Sequence, residues 1–482
     1  MPTKTTRARP CHRYEELAGF ITALVDEGTL PPGSRVPSLR DISVEQDISI
    51  GTALQAYRIL EDRGVIEARP QSGYFVSKIS APSALPVPSI SRPPRRPERI
   101  AVSGIMYELL EHASDPSYVP LGCAVPSPEL LAATRLDRCL GRVARRHGVK
   151  LNGYTHPQGD LRLRQEVARR ALHWGQALSP EAIEITNGCT EAILLALKAV
   201  TRAGEAVIVE SPTFFGLLHA LETLGLKAIE LPTDPCSGID LSATSQALAG
   251  RGVAACLLSS SFNNPLGCTM TEEKKLALLR LLSKHRVPLI EDDIFGDIYF
   301  GRERPRPFMS LDRSENTIYC SSFSKAIAPG YRVGWIVTRR HMPEVIKEKF
   351  STTLSGSALT QAAFAEFLSS GGYDHHLRRI RSVYAGNVAR MRCAIADAFP
   401  AGTKVSRPAG GFVLWVELPK SVDTRKLFED ALTKGICFAP GDVFSATKRY
   451  SNCLRLSAGY PWDQRIERGV WKLGEMARAA LR

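Results

Sequence analysis

Between Ser77 and Ile100 the chain reads SKISAPSALPVPSISRPPRRPERI, and no single core runs through such a stretch. Proline fixes φ and removes a backbone donor, and the segment has no hydrophobic period. It reads as a semi-rigid, solvated, basic linker. Its RPPRRPER run has the charge to touch DNA phosphates, although solubility alone explains the same charge. The chain is therefore expected to fold as separate bodies. These are residues 1–77, a linker over 78–104, and residues 105–482 with a smaller C-terminal subdomain over about 370–482. At roughly 150 residues per domain, the length allows about three units.

The 482 residues are 44% hydrophobic and 23% charged, which excludes wholesale disorder and fibrous repeats. No stretch approaches the ~20 apolar residues of a membrane span. Met1 to Pro10 is polar and basic, so no secretory signal is expected. The 11 cysteines form no CxxC pair, which points to reduced thiols in a cytoplasmic protein. The histidines, His375 and His376 included, show no metal-ligand spacing, so no metal site is expected. Sixty-two basic residues against 49 acidic ones leave a formal net charge of +13, which favours polyanions such as nucleic acid.

Tyr14, Leu17, Ala18, Ile21, Leu24 and Val25 make one apolar helical stripe, which Gly28 ends. A turn follows at Pro31-Pro32-Gly33, and Ser38 is placed to N-cap a second helix through Leu39 and Ile42. Ser49 or Thr52 begins a third helix, with Ala53, Ala56, Tyr57 and Leu60 facing inward and Gly64 ending it. Two short β segments, Val65 to Ala68 and Tyr74 to Val76, flank a turn at Pro70-Gln71-Ser72-Gly73. Three helices and a hairpin form a winged helix-turn-helix, whose helix can enter the major groove. LPPGSRVPSLRDIS and ALQAYRILEDRGVIEARPQSGYFV resemble the GntR-type winged helix over nearly its whole length. The resemblance implies a double-stranded DNA operator contacted by Arg40, Ser49, Thr52 and Gly73. Two positions depart from that pattern. Ile50 and Gln55 stand where the family usually carries arginines, which removes charged contacts.

In the rest of the chain, apolar strand-length runs alternate with helical stretches. The runs are Ala182 to Ile185, Ala206 to Val209, Ala254 to Leu258, Val287 to Ile290, Ile318 to Cys320 and Gly334 to Val337. Glu191 to Val200 and Glu272 to Lys284 have helical periodicity. This is an α/β pattern with a mostly parallel sheet, which binds ligands at its strand ends. In SSFSKAIAPGYRVGW, Lys325 follows a strand and Arg332 lies near enough to clamp a phosphate. A lysine amine reacts with an aldehyde cofactor once it deprotonates. In EDDIFGD, two acids close an apolar strand. In ITNGCTEAI, a glycine before a helix start offers backbone N–H groups to an anion. ESPTFFG, SFNNPLG and CLRLSAGY complete the set.

Together these segments resemble the fold-type I pyridoxal phosphate (PLP) aminotransferases. The resemblance implies pyridoxal 5′-phosphate on Lys325, Asp292 at the pyridinium nitrogen with Asp293 the weaker candidate, and Asn264 on the ring oxygen. Ser322, Arg332, Gly188, Cys189 and Thr190 would hold the phosphate, and Phe214 would stack on the ring unless it is a core residue. Arg455 would grip a ligand carboxylate. Tyr154, in YTHPQGDLRLR, would reach across a homodimer to the partner's phosphate. Phe295 stands where the family commonly has a tyrosine, so a contact to the ring oxygen is missing or supplied elsewhere. The whole chain is similar to the MocR subfamily of GntR-type bacterial regulators. In them an N-terminal winged helix-turn-helix is fused to an α/β aminotransferase-like domain, with a mostly parallel large sheet and a small α+β C-terminal domain. That likeness implies a DNA-binding transcriptional regulator that senses an amino acid, an amine or PLP. The alternatives are an active aminotransferase acting on an amino acid, and a DNA-binding protein whose second domain is only a dimerisation scaffold.

Overall fold

The computed structural model describes residues 13–62, 65–69, 72–76, 85–94, 96–100, 104–250 and 252–481. Met1 to Pro10, the expected helix end at Gly64, the turn residues Pro70 and Gln71, and linker residues 77–84, 95 and 101–103 lie outside the described residues. The chain divides into two compact units, Met1–Ser83 and Ala84–Arg482. Among the described residues, no helix is long and apolar enough to cross a membrane.

In the first unit, α1 (Arg13–Asp26) buries Leu17, Ala18 and Ile21, three members of the expected stripe. Gly28 follows at φ +77°, a left-handed conformation that suits glycine. Ser38 caps α2 (Leu39–Glu45), its Oγ accepting the Asp41 N–H at 3.2 Å. Ser49 does the same for α3 (Ile50–Asp62), accepting the Thr52 N–H at 3.0 Å. Ala53, Ala56, Tyr57 and Leu60 face the core, and the Tyr57 hydroxyl donates to Pro37 O at 2.7 Å. Strands β1 (Ile66–Arg69) and β2 (Gly73–Val76) pair antiparallel, with Arg69 opposite Gly73. Residues 33–36 bond β2 on its other side, through Gly33 N to Val76 O and Val36 N to Tyr74 O, both at 2.9 Å. The hairpin is thereby fixed to the helices.

In the second unit, the described residues between 85 and 100 are bound to the domain at several points rather than solvated throughout. Pro88 and Pro93 are buried. Leu85 O accepts Arg407 Nη2 at 3.0 Å, and Pro86 O accepts the Val405 N–H at 2.9 Å. Ser89 donates to the Glu417 carboxylate through its N–H and its hydroxyl. Strand β3 (Glu98–Arg99) then pairs antiparallel with Ala228 and Lys227. Proline-rich backbone lacks donors but keeps its carbonyls. The segment binds through those carbonyls and through serines, so an apolar pattern was never needed.

The large sheet is built from β4 (Ile183–Thr186), β5 (Ala206–Ser211), β6 (Lys227–Asp234), β7 (Val253–Leu258), β8 (Leu289–Asp292), β9 (Thr317–Ser322) and β10 (Gly334–Val337). Its order is β3-β6-β5-β7-β8-β9-β10-β4, with the short strand Gly238–Ile239 added on β6. Neighbours from β6 to β9 run parallel. Strand β10 is antiparallel to both β9 and β4. The near-continuous apolar runs are those of strands covered on both faces, and all of β4, β5, β8, β9 and β10 is buried. The reversed β10 returns from β9 through residues 323–333, so both ends of that loop stay at one edge of the sheet. Helix α4 (Cys189–Val200) leaves β4 at the same edge. The C-terminal part carries α5 (Gly372–Ala398), β11 (Lys404–Val405), β12 (Val413–Glu417), β13 (Ala439–Pro440), β14 (Cys453–Ser457) and α6 (Gln464–Ala479). Its sheet has the order β11-β12-β14-β13 and is antiparallel throughout.

Candidate functional site

Parallel strands end together, and the C-terminal edge of the large sheet therefore gathers residues distant in sequence. Gly188 follows β4, Phe214 follows β5, Asn264 follows β7, Asp292 ends β8, and Ser322 ends β9. Lys325 and Arg332 lie in the loop that joins β9 to β10. Lys325 is half-buried, and its Nζ donates to Ala124 O at 2.6 Å. Burial first, and the Arg455 charge second, push its amine down to about 8, while Cys123 and Asp292 oppose the shift. Asp292 is also buried, and its carboxyl is pushed up to about 6, chiefly by desolvation. Its Oδ1 accepts the Ile294 N–H at 3.2 Å and the Cys189 thiol at 3.5 Å.

The two acids of EDDIFGD separate because successive residues face opposite ways. Asp293 Oδ2 accepts the Tyr319 hydroxyl at 2.9 Å and a guanidinium N–H of Arg304. Arg304 also holds Asp297 at 2.8 Å. Asp293 is thus committed to a buried ion-pair network, whereas among the described residues Asp292 accepts hydrogen bonds from a thiol and a backbone N–H.

Gly188 precedes α4 at φ +90°, and a Cβ there would strike the Arg332 guanidinium. Gly334 is equally constrained, because a Cβ would meet the Gly188 backbone. Arg332 donates to Asn187 O at 3.0 Å and to Pro329 O at 3.3 Å, which aims the guanidinium across the start of α4. The first N–H groups of a helix lack partners within it. Cys189 is buried there and Thr190 is exposed. The Ser322 hydroxyl accepts the Ser324 N–H at 3.3 Å. Phe214 is half-buried and tilted against Phe215 at 4.6 Å, which leaves part of its ring open.

Arg455, in β14, is fully buried. Its Nη1 donates to Asn264 Oδ1 at 3.0 Å and its Nη2 to Gly122 O. Its Nε is buried without a hydrogen-bond partner among the described residues. Phe444 and Phe215 lie 5.1 and 5.8 Å from the guanidinium carbon. Burial lowers the guanidinium to about 10. Tyr154 is not part of this gathering. It is 88% exposed. Phe295 points away from any hydroxyl role and packs edge-on against Phe412 at 5.2 Å.

In the first unit, Arg40, Ser49, Ile50 and Gln55 are exposed and Thr52 is half-buried. Gly73 has φ +97°, and Arg35 lies beside it. Arg35 and the exposed Arg58 were not singled out by the sequence reading, although both sit among the expected contact residues. In the second unit the Gly122 and Ala124 carbonyls were missed, because a backbone acceptor leaves no residue-type signal. Arg304 had one: an arginine downstream of three clustered acids.

Comparison with known proteins agrees with this division. The model for aminotransferase class I and II matches residues 126–470, and that for bacterial regulatory proteins of the gntR family matches residues 13–76. The chain is 39% identical to YdcR of Escherichia coli strain K12, described as an uncharacterized HTH-type transcriptional regulator, over 97% of this chain and 100% of YdcR. It is 30% identical to the 2-aminoadipate transaminase of Thermus thermophilus, over 80% of this chain and 96% of that protein. The crystal structure of LysN, the α-aminoadipate aminotransferase of Thermus thermophilus, complexed with N-(5′-phosphopyridoxyl)-L-leucine, superposes with a TM-score of 0.73. The identity is 28%, and the match covers 79% of this chain and 95% of LysN. With a gntR-family domain ahead of a fold-type I aminotransferase domain, and full-length relatives built the same way, the chain belongs to the HTH-type transcriptional regulators of MocR architecture.

Proposed function

We propose that this regulator binds pyridoxal 5′-phosphate at Lys325, that an amino acid or amine changes the occupied site, and that the change alters its grip on DNA. The observation carrying the reading is that one edge of the large sheet gathers Asp292 and Arg332 against the start of α4, Lys325 in the loop from β9 to β10, and Asn264 bonded to the buried Arg455. The donor set fits the group. The α4 N–H groups at Gly188, Cys189 and Thr190, with Arg332 and Ser322, suit a phosphate. Gly188 leaves room for the Arg332 guanidinium, and Gly334 leaves room for the Gly188 backbone.

When bound, PLP supplies an aldehyde carbon and an electron-withdrawing pyridine ring. The chain's residues supply the rest. Lys325, lowered to about 8, is neutral often enough near neutral pH to act as nucleophile and as a proton carrier. Asp292, ionised above about pH 6, would hold a proton on the ring nitrogen of the bound group. Asn264, whose Oδ1 accepts from Arg455, would have its side-chain NH2 left to donate to the ring oxygen. Phe214 covers one ring face. Arg455 takes a ligand carboxylate, its unpartnered Nε completing a bidentate grip. Tyr154 serves the site of a second copy in a homodimer. Arg40, Ser49, Thr52 and Gly73 meet the DNA operator, and the protein works in the cytoplasm.

Visible absorption of the purified protein, titrated with amino acids and amines, tests the cofactor and the ligand together. The expected result is a cofactor band that a ligand shifts, and an operator affinity that moves with it. A chain that binds no cofactor even after supplementation leaves only the dimerisation scaffold. A second reading, turnover as an aminotransferase, is favoured by the lowered Lys325 amine. Steady conversion of an amino donor and a keto acid would establish it.

A further inference from the structure

Three hydroxyls in a row connect the segment ahead of the large sheet to the loop beside the candidate ring site. Ser91 Oγ lies 2.5 Å from Tyr450 Oη, and Tyr450 Oη lies 2.7 Å from Ser211 Oγ. Ser211 Oγ in turn donates to Glu230 Oε1 at 3.3 Å. With Glu230 ionised, Ser211 donates to it and accepts from Tyr450, which then accepts from Ser91; with Glu230 protonated the row can run the other way, and the phenol bonds both serines in either case. Glu230 is buried, and its other oxygen accepts Ser445 Oγ at 3.0 Å. Segment 85–100, strands β5 and β6, and the loop 444–450 of the C-terminal part therefore meet at one phenol.

Tyr450 is held for this contact. Its φ is +68°, a conformation that residues with a Cβ rarely keep unless their surroundings impose it. Its ring packs edge-on against Trp415 at 5.6 Å. Burial raises its hydroxyl above the ordinary phenol value, so the proton stays available. The loop it reaches is held at Ser211 by the phenol and by the Thr233 hydroxyl, which accepts the Ser211 N–H at 3.1 Å, and at Thr213 by its N–H to Phe444 O at 3.0 Å. Phe214 is the next residue. Phe444 in turn neighbours Arg455.

We infer that Tyr450 is a positioning residue whose hydroxyl seats the 211–214 loop against the cofactor ring and, through Ser91, ties the segment leading from the first unit to that loop. The inference rests on the reading that Phe214 flanks bound PLP. A filled ring site fixes the loop, the loop fixes the phenol, and the phenol holds Ser91. Linkage makes the coupling reciprocal, so releasing Ser91 loosens the cofactor site.

The test uses the full chain stripped of cofactor and titrated with PLP, with hydrogen–deuterium exchange read on the amides of residues 85–94. In the wild type, PLP is expected to slow exchange there. Tyr450→Phe keeps the ring and removes the hydroxyl. It is expected to abolish the PLP-dependent slowing and to weaken PLP binding about fivefold, the size of one or two hydrogen bonds. Ser91→Ala, a change in an extended segment that leaves the fold intact, is expected to abolish the slowing while the absorption maximum of bound PLP stays at the wild-type position. Wild-type-sized slowing in either variant overturns the inference. So does a wild type that binds PLP with no change in residues 85–94, although PLP binding itself then stands. A wild type that binds no PLP removes the functional reading, and the inference with it.

Discussion

Lys325 is half-buried, and desolvation first and the neighbouring Arg455 charge second determine when its amine can react. The neutral amine is the nucleophile. With the group at about 8, roughly 1% is neutral at pH 6 and nearly all at pH 10. The rate of PLP capture by the stripped chain should therefore rise about tenfold per pH unit up to about 8 and then level off, as followed by stopped-flow absorbance. A flat profile would mean the amine is not the reacting group. The same shift has a stability consequence. The unfolded chain holds this proton up to the ordinary value of 10.5, so between about 8 and 10.5 it binds more protons than the folded chain. The contribution of Lys325 to stability thus rises with pH in that window. Asp292 has the opposite sign: raised from 3.8 to about 6, it contributes stability at low pH that is lost as pH climbs through that range. Asp293, its neighbour, makes a sharp contrast. Asp293→Asn leaves Arg304 under-paired in the interior and should cost roughly 3 kcal/mol in thermal or urea unfolding, with the PLP band unchanged. Asp292→Asn should move the band with a much smaller loss of stability. Sequence resemblance ranked the two acids; strand alternation gives the physical reason.

At the level of elements, helix starts and strands were legible because their causes are local. Ser38 and Ser49 cap the helices that the sequence placed after them. The apolar runs became strands within two residues at either end, and the core strands extend to the polar residues that build the site, such as Ser211, Asp292 and Ser322. Strand direction was not legible, since an apolar run reads the same both ways, and so the reversal of β10 went unseen. The docking of residues 85–100 was hidden for another reason: carbonyls and serines carry it, and neither leaves a period. The third helix, α3, carries its own prediction. Its first turn exposes Ser49, Ile50 and Gly51, with no cation among them, and Ile50 is 54% exposed. Ile50→Arg should raise affinity for any duplex and steepen the dependence of log K on log salt by about 0.9, one phosphate contact. Arg40→Ala should flatten that slope by a similar amount on operator and random DNA alike. A change in sequence preference at constant slope would instead make Arg40 a reader of bases.

At the scale of the whole molecule, the segment from Val149 to Leu161 carries large side chains that a single copy leaves exposed. Val149 is 89%, Tyr154 88% and Leu161 50% exposed. Large apolar and aromatic groups clustered at a surface mark a contact region. If Tyr154 serves the partner's phosphate, the site is shared and can be divided between two defective chains. Lys325→Ala alone abolishes covalent capture. Tyr154→Ala alone should weaken PLP about 10- to 100-fold, the loss of a hydrogen bond to a charged group. Mixing the two variants into heterodimers concentrates both defects in one site and leaves the other whole: Lys325 comes from one chain and Tyr154 from its partner. Titrated heterodimers should bind one PLP per pair with wild-type affinity. If Tyr154 acts within its own chain, each site keeps one defect, and no wild-type site appears at any mixing ratio.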